Sequence, residues 1–248
     1  MSSIRILAGV LIAGFLQLAL MGSAAADTPK GMYVGVDAGM AWTANLTYTV
    51  GYGGCVPPYY CTAPTYYNAV TYDLGYSAGV QVGYGFGGPR VELEYNYRNN
   101  GASTIATTAG TQSATGSLTS NNFMVNVLYD FDTGSKWTPY VGLGLGAADV
   151  SANGIHPSGT VPNCPNDRCT SFLDGSSTKF AVQFIFGAEY AVSDRIGVTI
   201  DWRGLWASNT NFNYGIGCNG SLANCAQTGT TNYDYWNGAL NVGVRIKF

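Results

Sequence analysis

The sequence predicts an all-β fold: an eight-stranded antiparallel up-and-down transmembrane β-barrel with short periplasmic turns and long extracellular loops. Three observations predict it. Eight segments alternate apolar and polar residues with a period of two, short and long connections alternate strictly between them, and the face opposite the apolar one is loaded with glycine.

The amino-terminal stretch "MSSIRILAGVLIAGFLQLALMGSAAADTPK" has one positive charge, at Arg5, then an apolar run from Ile6 to Met21 and small residues before Asp27. That is the pattern of an export signal. Residues 1–26 are expected to be the signal, with cleavage after Ala26 and a near-equal site after Ala25, leaving 27–248 as the barrel domain.

The first strand is read in "GMYVGVDAGMAW", where Met32, Val34, Val36, Ala38 and Met40 oppose Tyr33, Gly35, Asp37 and Gly39. "GYSAGVQVGYGF" sets Tyr76, Val80, Val82, Tyr84 and Phe86 against glycines and Gln81. In "PRVELEYNYRN", Val91, Leu93, Tyr95 and Tyr97 alternate with Arg90, Glu92, Glu94, Asn96 and Arg98. "NNFMVNVLYDF" places Phe123, Val125, Val127 and Tyr129 opposite Asn126 and Asp130, and "TPYVGLGLGAADV" places Val141, Leu143, Leu145 and Ala147 opposite Gly142, Gly144 and Gly146. "FAVQFIFGAEY" and "RIGVTIDWRGLW" repeat the pattern, with Gln183 and Glu189, then Thr199, Asp201 and Arg203, on the polar side. The chain ends in "YWNGALNVGVRIKF", whose polar side carries Asn237, Asn241, Arg245 and Lys247.

Short connections are read at Gly87 to Pro89, Asp132 to Lys136 and Ser193 to Arg195; long ones run about Thr43 to Tyr72, Asn99 to Ser117, Ser151 to Thr178 and Ala207 to Tyr235. All short turns then lie at one rim, and the first and last strands can pair and close. Volume decides which face is inside. A barrel of this size has little internal room, so the glycine face fits inward and the large apolar face outward, toward lipid. Trp42, Tyr76, Tyr97, Phe123, Trp206 and Trp236 form one aromatic girdle, and Tyr84, Phe86, Tyr129, Phe131, Tyr190 and Phe248 the other. Closure follows from backbone energetics, since an open edge in hydrocarbon leaves amides unpaired. Only 10% of residues are charged and the net charge is -3, well below the ~25% charged content of ordinary soluble domains. That balance excludes a nucleic-acid partner, which would need clustered Lys and Arg.

The signal, "MYVGVDAG", "PRVELEYNYR", "WTPYVGLGLGAA" and "ALNVGVRIKF" resemble the small OmpA-like and Opa-like outer-membrane β-barrel family of Gram-negative bacteria, across almost all of the mature chain. The resemblance implies an outer-membrane location, contact with outer-membrane lipid and lipopolysaccharide, and a carboxy-terminal aromatic, here Phe248, that hands the chain to the outer-membrane assembly machinery. The sequence stops at the barrel, so the wall-anchoring domain of full-length OmpA-type proteins is not expected. Family functions include structure, adhesion, surface defence and modest channels, so fold is carried over more firmly than function.

Ten charged residues fall inward: Asp37, Arg90, Glu92, Glu94, Arg98, Asp130, Glu189, Asp201, Arg203 and Arg245. Two readings stay open, a charged water-lined path and a satisfied plug in which opposite charges pair because an unpaired buried charge costs too much; the plug is favoured. No catalytic residue, cofactor or metal site is assigned. "GYGFGGP" leads into another strand rather than a helix, so it makes no phosphate loop. His156 is the only histidine and has no companions at metal spacing.

Six cysteines occur as Cys55 with Cys61, Cys164 with Cys169, and Cys218 with Cys225, each pair within one long connection. Fifteen pairings are formally allowed; close spacing favours the three local ones, and an oxidising compartment permits them. The leading functional expectation is therefore a structural and surface-interaction, adhesin-like protein presenting disulfide-stapled loops to host-surface, matrix or phage ligands, acting as a monomer without a cofactor. The alternative is a narrow passive channel for small solutes or ions.

Overall fold

The computed structural model describes residues 30–51, 65–107, 110–158, 171–216 and 227–248. The expected signal at 1–26 lies outside the described residues. Among the described residues ten strands form: β1 (Lys30–Thr43), β2 (Leu46–Gly51), β3 (Thr65–Tyr72), β4 (Gly75–Phe86), β5 (Pro89–Thr107), β6 (Gly110–Asp130), β7 (Trp137–Pro157), β8 (Ser171–Ala191), β9 (Ile196–Ile216) and β10 (Gln227–Lys247). Every ladder is antiparallel. β4 pairs with β1 and β5, each following strand pairs with the next, and β10 returns to β1 in the register Val36↔Val244, which closes the wall.

The expectation of eight strands is corrected to ten. The two additional strands, β2 and β3, form a hairpin inside the expected long connection 43–72, and β3 docks on the outer end of β5 through Val70↔Ile105. "LTYTVG" and "TYYNAVTY" are rich in Thr, Tyr and Val, residues that suit a pleated surface. The other long connections are corrected as well. Ladder pairing continues from Asn99↔Thr119 to Thr107↔Gly110, with one irregularity, so only residues 108–109 separate β5 from β6. Strands of 21 residues reach roughly 70 Å at ~3.3 Å per residue, far beyond the ~9–11 residues that cross a bilayer.

This length divides the barrel into two storeys. In the lower one the outward side chains are apolar, including Val36, Val80, Leu93, Val127, Leu143, Phe184, Ile200 and Val242, all exposed, while the inside is filled by glycine, by polar residues and by a small cluster of Leu128, Tyr140 and Ile185. Above Phe123, Phe180, Trp206 and Trp236 the faces exchange character. Asp149, Ser151 and Asn153 of β7 now lie on the outward parity while Ala148, Val150, Ala152 and Ile155 are buried. Leu46, Val70, Ile105, Leu118, Leu173, Phe212, Tyr233 and Tyr235 join them in one apolar core. The lower storey is thus built for lipid outside and the upper storey for water outside.

Two glycines show how tightly the lower interior is filled. A Cβ at Gly187 would lie 2.7 Å from the Tyr140 ring and 2.6 Å from Asp201 Cβ, and one at Gly243 would lie 2.7 Å from Thr199 Oγ1. Glycine at these positions makes room for the side chains that fill the lumen.

Candidate functional site

The polar interior of the lower storey is arranged in levels. At the short-turn rim, Arg90 Nη1 lies 2.9 Å from Asp130 Oδ1, Glu189 pairs with Arg245, and Lys247 Nζ lies 2.5 Å from Glu189 Oε1. Tyr33 and Tyr140 lie between the two guanidinium groups, with Arg90 4.4 Å from the Tyr140 ring centre and Arg245 4.8 Å from that of Tyr33. Cation–π attraction in a desolvated setting holds both cations against the aromatic faces. A small solvent-open cavity of ≈ 30 Å³ is lined here by Lys30, Tyr33, Arg90, Asp130, Glu189, Arg245 and Lys247, among others.

One level higher, four carboxylates surround Arg203. Its Nη1 lies 2.5 Å from Glu94 Oε2 and 3.5 Å from Glu92 Oε1, its Nε 2.9 Å from Asp201 Oδ1, and its Nη2 3.9 Å from Asp37 Oδ2. The carboxylates have neutral donors too: Tyr140 donates to Asp201 at 2.8 Å, Tyr33 to Glu92 at 2.9 Å, Asn126 and Gln183 to Glu94 at 2.6 and 2.7 Å, and Gln81 to Asp37. Such neutral donors let more acids than bases share a dry space, because each amide or phenol stabilises a carboxylate without adding charge. Arg98, fully buried above this waist, is held by Asn96, Asn237 and Gln183 at 2.8–3.2 Å. No carboxylate of the described residues is within ion-pair reach of it.

All ten residues of the inward charged set therefore sit in the lumen, at three levels rather than in one network. Sequence reasoning put Asn126 and Asn237 on the inward face without assigning them as neutral partners of the charged set, and it missed Tyr140 altogether. Their signal was parity, since Tyr140 shares its face with Gly142 and Asn126 its face with the inward Asp130. His156 lies on the upper wall, with Nδ1 2.8 Å from the Gly154 carbonyl and Nε2 3.1 Å from the Thr115 hydroxyl. The described residues hold no group of three or more His, Cys, Asp or Glu placed for a metal ion.

The leading expectation of an adhesin-like protein with disulfide-stapled loops is corrected. No disulfide occurs among the described residues, and Cys55, Cys61, Cys164, Cys169, Cys218 and Cys225 all lie outside them. Much of the sequence assigned to loose loops needing staples is instead laddered wall around an apolar core. What the structure builds in detail is a polar lumen, which favours the alternative.

Comparison with known proteins agrees with this architecture. An "Outer membrane protein" of Gluconacetobacter diazotrophicus is 33% identical over 135 residues, 52% of this chain and 34% of the relative. The outer membrane protein PagN of Salmonella typhimurium is 29% identical over 140 residues, 52% of this chain and 56% of the relative. The matches thus span about a third and just over half of those relatives. Among solved structures, Neisserial surface protein A superposes with a TM-score of 0.52 at 20% identity, covering 88% of this chain and 97% of that one. OprG of Pseudomonas aeruginosa superposes with a TM-score of 0.54 at 14% identity, covering 88% and 98%. Both likenesses concern the fold alone. The family model described as "Outer membrane protein beta-barrel domain" matches residues 10–248. The chain, an outer-membrane transmembrane β-barrel, belongs to that family.

Proposed function

We propose that the protein is a narrow passive channel for small solutes or ions, closed at its waist by Arg203 and its four carboxylates. The observation that carries this reading is the solvent-open cavity at the short-turn rim, below a waist made mostly of charged and amide side chains, with Ile185 the buried aliphatic neighbour of Arg203. Asp37 Oδ1 and Glu94 Oε1 are buried there without a protein hydrogen-bond partner, as is Asn122 Oδ1 one level higher, beside Asn96. Buried polar atoms left over in this way are normally met by water, and a hydrated waist is what a small solute needs to cross. Passage requires the Arg203 contacts to part, so the resting state conducts rarely.

The test is single-channel conductance of the refolded full chain in a planar bilayer, beside Arg203→Ser, which shortens the side chain that spans the waist. Brief, small openings in the parent and more frequent ones in the variant support the reading; silence in both ends it. Three narrower statements belong to the same proposal. Residues 1–26 leave on export, Phe248 is read by the assembly machinery, and the chain acts as a monomer akin to the OmpA-like and Opa-like barrels. Engagement of host-surface, matrix or phage ligands at the upper rim is compatible with passage through the lumen.

A further inference from the structure

We propose that the cavity at the short-turn rim is a binding site for a small oxyanion, a carboxylate or a phosphate group, centred on Arg90. The lining holds four cations, Lys30, Arg90, Arg245 and Lys247, against two carboxylates, Asp130 and Glu189, an excess of two positive charges (4 − 2). Both carboxylates are already engaged. Glu189 is shared by Arg245 and Lys247, and Asp130 faces Arg90 Nη1. Arg90 Nε and Nη2 have no hydrogen-bond partner, although the residue is only 2% exposed.

A buried charged donor left unmade is costly, and the guanidinium cannot escape that cost by losing its proton. Nor can it readily turn away, because the Tyr140 and Tyr33 rings lie 4.4 and 5.7 Å from it. Adjacent Nε and Nη2 donors form one side of the planar fork that receives two oxygens of a carboxylate or phosphate side by side. Lys30, exposed at the mouth, adds attraction for an incoming anion. Glu92, anchored by the Tyr33 hydroxyl just above, repels the anion from the waist and holds it at the rim. The terminal carboxylate of Phe248 sits at the same rim, its amide bonded to Met32, but outside the lining. This inference goes beyond the channel reading, because binding at the rim requires no conduction.

The experiment is 15N side-chain NMR of the full chain refolded in zwitterionic micelles, titrated with inorganic phosphate and, separately, acetate. The Arg90 Nε–H resonance should move saturably. Arg90→Lys, which keeps the charge and loses the fork, should weaken binding of the same anion about tenfold or more, followed through the Arg245 resonance. Lys136→Gln, in a turn at the same rim but outside the lining, should leave it unchanged. A third arm places the protein in nanodiscs of phosphatidylglycerol or of phosphatidylcholine without added anion. Movement of the Arg90 signal in phosphatidylglycerol alone assigns the oxyanion to a lipid headgroup, and movement only with dissolved anion assigns it to a solute; either supports the site. No saturable movement in any arm, or equal affinity in Arg90→Lys, overturns it. Should Arg90→Lys fail to fold, Asp130→Asn keeps Arg90, frees its third donor and must tighten binding; unchanged or weaker binding overturns the proposal. None of these readouts depends on conductance, so the site and the channel can fail separately.

Discussion

Replacing Arg203 with Met removes the one cation within 4 Å of Asp37, Glu92, Glu94 and Asp201 and leaves a side chain of similar length. The tyrosine, asparagine and glutamine donors remain, so the carboxylates keep part of their stabilisation. What is lost is the Coulomb attraction in a space where each acid is at most 9% exposed. Breaking a buried ion pair by removing one partner costs about 3–5 kcal/mol. With a urea dependence of roughly 2–3 kcal/mol per molar, the unfolding midpoint should fall by about 1–2.5 M. Unfolding in bilayers or micelles, followed by tryptophan fluorescence and by the heat-modifiable gel shift, gives the number. Glu94→Gln, which removes one of the four negative charges, should restore part of the loss, making the double variant less unstable than the sum of the singles. A midpoint within about 0.2 M of the parent, or strict additivity, would refute the reasoning and show that the acids do not depend on Arg203.

Three further outcomes follow from the wall and its ends. Leu143→Arg, in the middle of the outward apolar belt beside Val127 and Phe184, should cost about 2–4 kcal/mol in folding equilibria in bilayers, and an unchanged equilibrium would mean that this face does not meet lipid. Gly187→Val should drive a Cβ into the Tyr140 ring and Asp201 and cost about 1–3 kcal/mol; a parent-like urea midpoint would show that the lower interior is looser than described. Phe248→Asp should reduce outer-membrane yield in cells while leaving refolding in detergent close to normal, and normal yield would remove Phe248 from the assembly signal.

The lower storey was legible because two independent constraints act on each residue there. In "PRVELEYNYR" a lipid-facing parity demands Val91, Leu93 and Tyr95, and an inward parity demands Glu92, Glu94 and Arg98, so alternation alone fixes both faces. The upper storey obscured itself by composition. "GASTIATTAGTQSATGS" is small, hydroxylated and glycine-bearing, the usual description of a loop, yet it continues the β5–β6 ladder because neighbouring strands already hold it in register. The exchange of faces hid the rest. Reading Val150, Ile155 and Phe212 as a buried set required knowing where lipid gives way to water, which a period of two cannot supply. At the candidate site the charged members were visible because charge is rare in this chain, whereas Tyr140 looked like one more aromatic in a protein with 18 tyrosines.

The exchange of faces above Phe180 and Trp206 bears on how the molecule reaches its place. Asp149, Asn153, Asn211, Asn213 and Asp234, all on the outward parity of the upper storey, stand beyond the hydrocarbon belt, so an insertion that leaves the short turns behind carries each of them across it once. A single carboxylate or amide can cross at a local thinning of the bilayer, but a whole polar cylinder wall presented to acyl chains at one moment meets a kinetic barrier that grows with its circumference. Threading the strands as hairpins, with the polar parity turned toward one another or toward a hydrated guide, spreads that barrier over several smaller steps. The resting depth is then self-locking. Withdrawing the barrel toward the periplasm would drag those same polar groups back into lipid, and pushing it outward would wet the aliphatic belt, so the height at which hydropathy switches acts as a mechanical stop in both directions.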